Sequence, residues 1–211
     1  MATKTGVPVL VALMLTLLAA GVAAAPAAQP NLPEPRPIVA DPNTTALLVL
    51  DMSTRCDVPG AVCGELGPVI ASFLPKARAA HVFTVYTVSA SARGTELGEV
   101  WPGFNRQDDE VVIYPDGTDK FVDGELAAML RERGIDTVIV TGSSSNQAVL
   151  YTASGATRNN GFRAIIPMDG SNANSYYEWE YTMHQLNNVS FSNLFSFTTL
   201  DLLTFGVGPS M

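Results

Sequence analysis

The 211-residue chain is short of charge, histidine and cysteine. Only 15% of its residues are charged, and acidic residues outnumber Lys and Arg 20 to 12, for a formal net charge of −8. That balance excludes a basic footprint for nucleic acid. It also leaves no basic amphipathic stretch for an anionic membrane surface. Histidine occurs only at His81 and His184, away from both cysteines, so no metal-ligand spacing is present and no metal is expected. Glycine patterns of the GxGxxG or P-loop kind are missing, which removes sequence support for a nucleotide cofactor; no cofactor is expected. A serine elbow is missing too, because Gly142-Ser-Ser-Ser-Asn146 is not Gly-x-Ser-x-Gly and no histidine stands as its base. What remains is a small-molecule or protein partner.

Long apolar runs are confined to the N-terminus. Lys4, the apolar Val7 to Ala20 and the small residues Ala23-Ala-Ala25 read as a signal peptide over residues 1–25. Pro26 makes cleavage after Ala27 a second option, and an uncleaved anchor is the competing reading. Either way export is expected, to a secreted or periplasmic location, with no stable membrane span after cleavage. Residues 26–44 are rich in proline and alanine and read as a tether. Residues 45–205 then form one domain, long enough to bury a substantial core, and 206–211 a tail. Export gives Cys56 and Cys63 a meaning. Separated by a Pro59-Gly60 turn, they suit a local disulfide worth about 2 kcal/mol by loop closure. A reactive thiol is the other reading. Asn43-Thr-Thr45 and Asn188-Val-Ser190 are glycosylation sequons, meaningful only in a eukaryotic source.

Along the domain, short β-branched runs alternate with helical patterns. Strands are expected at Thr45–Leu50, Val82–Val88, Glu110–Tyr114, Ile135–Thr141 and Phe162–Met168, with a sixth within Phe191–Phe205. Helices are expected at Pro68–Ala80, with Pro75 inside it, from Asp123 to about Gly134, at Gln147–Asn160 and at Tyr176–Leu186. The alternation argues for an α/β fold with a mainly parallel sheet between helix layers. Ligands in such folds bind at the carboxyl ends of the strands. The long polar connection Ser89–Gln107, which carries Trp101, is of a length usually kept for function.

Asp51 closes the first core strand, where a carboxylate is placed for acid or base chemistry. The competing reading is a simple loop cap. Asp169 ends another strand, and for it a structural acceptor is the favoured reading. The N–H groups of Gln147 and Ala148 open a helix and could hold an anion.

These residues together carry a resemblance to the isochorismatase-like hydrolases, also called cysteine hydrolases. The matching positions are Ala46-Leu-Leu-Val-Leu-Asp51, Lys120-Phe121 with Leu126 and Leu130, and Gly134-Ile-Asp-Thr-Val-Ile-Val-Thr-Gly142. They continue through Ser145-Asn146, Ala148-Val149, Thr152-Ala153, Ala156, Gly161-Phe162 and Asp169. The resemblance implies a three-layer α/β/α fold around a six-stranded, mainly parallel sheet. It also implies a catalytic Asp, Lys and Cys. The Asp falls on Asp51 and the Cys on Ala148, so the chain is similar to a branch without the nucleophile, and covalent catalysis is excluded. Alanine is also the usual engineered knock-out, although the export signal argues for a natural reading frame. The family Lys stands about five residues before the Phe matched by Phe121. Here Lys120 adjoins that Phe and substitutes only if the loop is rearranged.

Two activities follow as expectations. One is hydrolysis of a small carboxylated substrate with Asp51 as general acid, with Ser144, Gln147, Trp101 and Tyr151 contacting the substrate. Arg55, Arg93, Arg106 and Lys120 are the cations available to such a pocket. The other is a catalytically inactive binding module. A serine-based variant at Ser144 or Ser145 lacks a base. Aromatic residues from Tyr176 to Phe197 are expected either in the core or in a homo-oligomer interface.

Overall fold

The computed structural model describes residues 32–206, so the expected signal peptide, the start of the tether and the last five residues lie outside the described residues. The elements run β1 (Ile38–Ala40), β2 (Thr45–Leu50), α1 (Leu66–Ala79), β3 (Phe83–Thr87), β4 (Val111–Ile113), α2 (Glu125–Glu132) and β5 (Thr137–Ser143). They continue with α3 (Leu150–Ser154), β6 (Arg163–Pro167), β7 (Ser171–Asn172), α4 (Tyr176–Asn188), β8 (Phe195–Thr198) and β9 (Leu203–Phe205). The main sheet has the order β4-β3-β2-β5-β6-β8, all parallel, with the short β7 alongside the end of β5. The expected α/β/α sandwich around a six-stranded parallel sheet is what the chain forms.

Period-two alternation in the central strands builds both layers at once. Every residue of β2 is buried. Its Ala46, Leu48 and Leu50 meet α2, α3 and α4 through Leu126, Leu130, Val149, Ala153, Met183 and Leu186. Its Leu47 and Val49 point the other way, into the cluster with Ile70, Phe73 and Leu74 of α1. Covered on both faces, β2 and β5 tolerate no charge along their length, so polar chemistry can begin only where they stop. Leu50 pairs with Thr87 on one side and Gly142 on the other. That register delivers Asp51 and Ser143–Ser144 to one edge. Gly142 has φ of 120°, and a Cβ there would collide with the Leu50 backbone, so only glycine allows the two strand ends to approach this closely.

Three expectations need correction. The described part of the tether is not loose. Arg36 N–H donates to the Phe197 carbonyl at 3.0 Å, and β1 pairs in parallel with β9, burying Ala40 beside α1. Prolines at 37 and 42 hide a strand only three residues long. Lys76 fixes the β9 side by donating to the carbonyls of Leu200 and Leu203 at 3.1 and 3.0 Å. Secondly, the expected Gln147–Asn160 helix is α-helical only over Leu150–Ser154, with wider π-type turns at Ser145–Val149 and Gly155–Asn159. Thirdly, α2 starts after Gly124, whose φ is 81°, while Asp123 accepts the Glu125 N–H at 3.1 Å from one residue further out.

At the opposite edge of the sheet from the strand carboxyl ends, Arg78 of α1 grips Glu110 through two nitrogens at 2.8 and 3.0 Å. Tyr86 also donates to that carboxylate at 3.1 Å. Burial alone would raise the Glu110 carboxyl; the Arg78 pair and the Gln107 N–H outweigh it and hold it below the ordinary value. A depressed folded value means the stabilisation is present above the unfolded pKa and is lost as pH falls through the folded one. We predict that Glu110→Gln lowers stability at pH 7 by about 2 kcal/mol. In thermal melts, the gap between wild type and variant should narrow as pH drops below about 4.

Candidate active site

The carboxyl end of β2 turns into its loop at Asp51, which adopts φ of 54°, a left-handed conformation rare for a non-glycine residue. Its backbone N–H donates to the Thr87 carbonyl at 2.9 Å, and its Oδ1 accepts from the Thr87 hydroxyl at 3.2 Å. Those bonds aim the second oxygen away from the strand. That Oδ2 lies 2.8 Å from the Nζ of Lys120, whose side chain is only 2% exposed. Lys120 also donates to the Gly117 carbonyl at 2.9 Å.

Lys120 reaches Asp51 because its loop is fastened to the central helix. The Thr152 hydroxyl, fully buried on α3, accepts the Lys120 N–H and donates to the Thr118 carbonyl, each at 3.2 Å. One turn further on, Asp119 lies directly against Gly155, where any Cβ would overlap its carboxylate. Burial raises the Asp119 carboxyl above its usual value, against the Phe121 N–H and the Lys120 charge, which lower it. Ala148, Thr152 and Gly155 follow the spacing of one helix face. The methyl of Ala148 is buried in the same cluster as Leu50 and Phe121. The helix face where the resemblance expects a nucleophile is therefore the face that seats the lysine loop.

Two cavities open at this edge. One, of about 320 Å³, is lined by Asp51, Ser53, Arg55, Val88 and Ser89, with Ser91, Ala92, Thr95 and Leu97 of the following loop. The other, of about 450 Å³, lies between Ser143–Ser144, Asn174 and the Val58–Cys63 loop, and Arg55 lines it too. Cys56 and Cys63 form the expected disulfide, with Cα atoms 5.1 Å apart, and it closes the loop that walls the second cavity. Among the described residues no cluster of three or more His, Cys, Asp or Glu could hold a metal. No helix among them is long and apolar enough to cross a membrane.

The other expected site residues divide. Ser144 lines the second cavity, and its carbonyl accepts the N–H groups of Gln147 and Val149 at 3.2 and 3.3 Å. The Gln147 N–H is thus already bonded and is not a free anion donor. Trp101 packs against Gly67 and Phe104 and donates its indole N–H to Asp57 at 2.6 Å, anchoring its loop to α1. Tyr151 is half exposed on α3; neither it nor Trp101 lines the two cavities. Arg93 stacks over Tyr114 at 5.0 Å, and Arg106 donates to the Gln107 and Glu110 carbonyls. Asp169 accepts the Leu200 N–H at 2.9 Å, as a loop acceptor does. Ser145 is buried against the Ser171 hydroxyl at 3.0 Å. The contributions of Thr87, Gly117, Thr152 and Gly155 were missed, although the helical spacing from Ala148 to Gly155 was a signal for two of them.

The parallel α/β sandwich, with its ligand-binding edge at the strand carboxyl ends, is an isochorismatase-like hydrolase fold. The chain belongs to the isochorismatase family: the Isochorismatase domain model matches residues 45–196. Among solved structures, an isochorismatase family protein from Desulfovibrio vulgaris superposes with a TM-score of 0.67 at 23% identity, over 75% of this chain and 95% of that one. A cysteine hydrolase from Pseudomonas syringae gives 0.68 at 21% identity, over 80% and 94%. A protein from L. infantum, solved in complex with nicotinate, gives 0.65 at 20% identity, over 80% and 99%. At these identities the likeness is one of fold. No curated protein matches the chain in sequence.

The loop attachment makes a testable prediction. Gly155→Ala should lower stability by at least about 1 kcal/mol in denaturant unfolding, through overlap with Asp119. In an Asp119→Gly background the same change should cost less. Equal costs in both backgrounds would show that the Asp119 contact is not what Gly155 accommodates. Separately, Cys63→Ser should cost about 2 kcal/mol by releasing the closed loop, with denaturation midpoint as the readout.

Proposed function

We propose that the protein is an exported hydrolase of the isochorismatase-like type. Its substrate is a small carboxylated molecule, and it acts by proton transfer from Asp51 without a covalent intermediate. The observation that carries this reading is the contact between Asp51 and the buried Lys120 at a cavity mouth. The reaction suited to it is cleavage of a vinyl ether. Asp51 delivers a proton to the terminal alkene carbon, and positive charge develops at the ether carbon. Water adds there, releasing a proton that restores Asp51, and the hemiketal collapses to pyruvate and an alcohol. Lys120 fixes the orientation of the carboxyl group and balances its charge once the proton has left. No step needs a nucleophile at position 148.

The absence of a thiol at Ala148 speaks for a binding module instead. Against it, a structure holding only a ligand has little reason to keep a lysine buried beside a carboxylate, since removing that ammonium from water costs several kcal/mol. The disulfide and the leader-like first 25 residues support export.

The test is pyruvate release from isochorismate by the mature protein. We expect turnover that falls at least about 100-fold in Asp51→Asn and in Lys120→Met. It should be untouched by iodoacetamide. Release that persists in Asp51→Asn, or no release by the wild type, would sink this assignment.

A further inference from the structure

The cations around the site are nearly all committed. Lys120 is held by Asp51 and Gly117. Arg106 bonds backbone carbonyls and Arg93 lies over Tyr114. Arg55 differs. Its guanidinium has no hydrogen bond or ion pair with any described residue, although it lines both cavities of the site. Its backbone, by contrast, is fixed. The Arg55 N–H reaches the Ser53 hydroxyl at 3.4 Å, its carbonyl accepts the Val58 N–H at 3.1 Å, and the next residue is bridged Cys56. An exposed, uncommitted guanidinium on a fixed backbone, in a chain of net charge −8, is placed to read an anion.

The surroundings define which anion. Ser53, Ser89, Ser91 and Thr95 line the smaller cavity with Arg55, beside the apolar Val88 and Leu97; the Ser89 and Ser91 hydroxyls bond each other at 2.9 Å, and that of Thr95 donates to the Ala92 carbonyl at 2.7 Å. Its other charged side chain is Asp51, whose charge Lys120 balances. An anionic group is therefore drawn to the Arg55 end of the cavity. A planar carboxylate suits the two-pronged guanidinium, and a volume of about 320 Å³ suits a small organic acid. The opening of the central helix carries no cation, and its Gln147 N–H is bonded to Ser144.

We propose that Arg55 is the specificity-determining residue of this site, binding a carboxylate of a small organic acid at the two cavities that its side chain lines. This deepens the hydrolase reading above and rests on it for turnover, but binding can be measured without turnover.

The experiment is calorimetric titration of the mature protein with benzoate and with its neutral counterpart benzamide, for wild type, Arg55→Gln, Arg55→Lys and Arg93→Gln. Wild type should prefer benzoate by about fivefold or more, the size expected of a partly exposed charge-assisted pair. Arg55→Gln should remove that preference, Arg55→Lys should retain part of it, and Arg93→Gln should leave it intact. A benzoate preference surviving in Arg55→Gln overturns the proposal, as does the lack of millimolar benzoate binding by wild type. Inorganic phosphate binding at Arg55 in place of benzoate overturns the carboxylate assignment. If benzoate binding depends on Arg55 while isochorismate is not turned over, the reaction assigned above fails and the anion site stands. If isochorismate is turned over with the same KM in Arg55→Gln, the reaction stands and this role of Arg55 fails.

Discussion

The contact between Asp51 and Lys120 is the constraint around which the functional edge of the molecule is arranged. A lysine with 2% of its side chain exposed gives up most of its hydration, and one carboxylate at 2.8 Å with one carbonyl at 2.9 Å must offset that loss. Such an offset works only if the partners stay in position. Asp51 is held by Thr87 on one side. Lys120 is held by a loop seated on α3 through Thr152 and Gly155. The sheet register, the helix face and the loop are three separate pieces of structure that meet at a single ion pair.

That arrangement also accounts for the lysine's unusual position in the chain. The resemblance expects the residue several places earlier, yet the ammonium arrives at the aspartate. Thr118 and Lys120 share one buried hydroxyl, and Asp119 lies where a side chain on position 155 would stand. With alanine rather than a thiol at position 148, the chemistry proposed for this edge is that of the proton. The cavities beside it are shaped by the long Ser89–Gln107 connection and by the disulfide-closed loop.

Much of the fold was legible in the residues themselves. The apolar runs of β2 and β5 announce strands covered on both faces, and their ends locate Asp51 and Ser143–Ser144 at the ligand-binding edge. The helix behind them was legible as a helix but not in its pitch. Propensity does not report a π-type turn that local packing imposes. The strand β1 was hidden by its prolines, because its partner β9 lies more than 160 residues away and pairing at that range leaves no local pattern. Trp101 read as a substrate contact since it sits in a long polar loop. Its indole instead fixes that loop to α1 and Asp57.

By itself, then, the sequence determined the layers and the family, and it pointed to Asp51 at the end of the first core strand, since these depend on periodicity and on motifs short enough to be read along the chain. It also determined that no covalent thiol chemistry can occur at position 148. Tertiary structure alone decided whether Lys120 could reach Asp51, that the Gln147 N–H is bonded to Ser144, and which arginine stood uncommitted in the cleft. Each of those turns on distances between groups far apart in the chain. Hydrogen bonds and ion pairs act over about 3 Å, a scale that residue spacing along a loop does not specify.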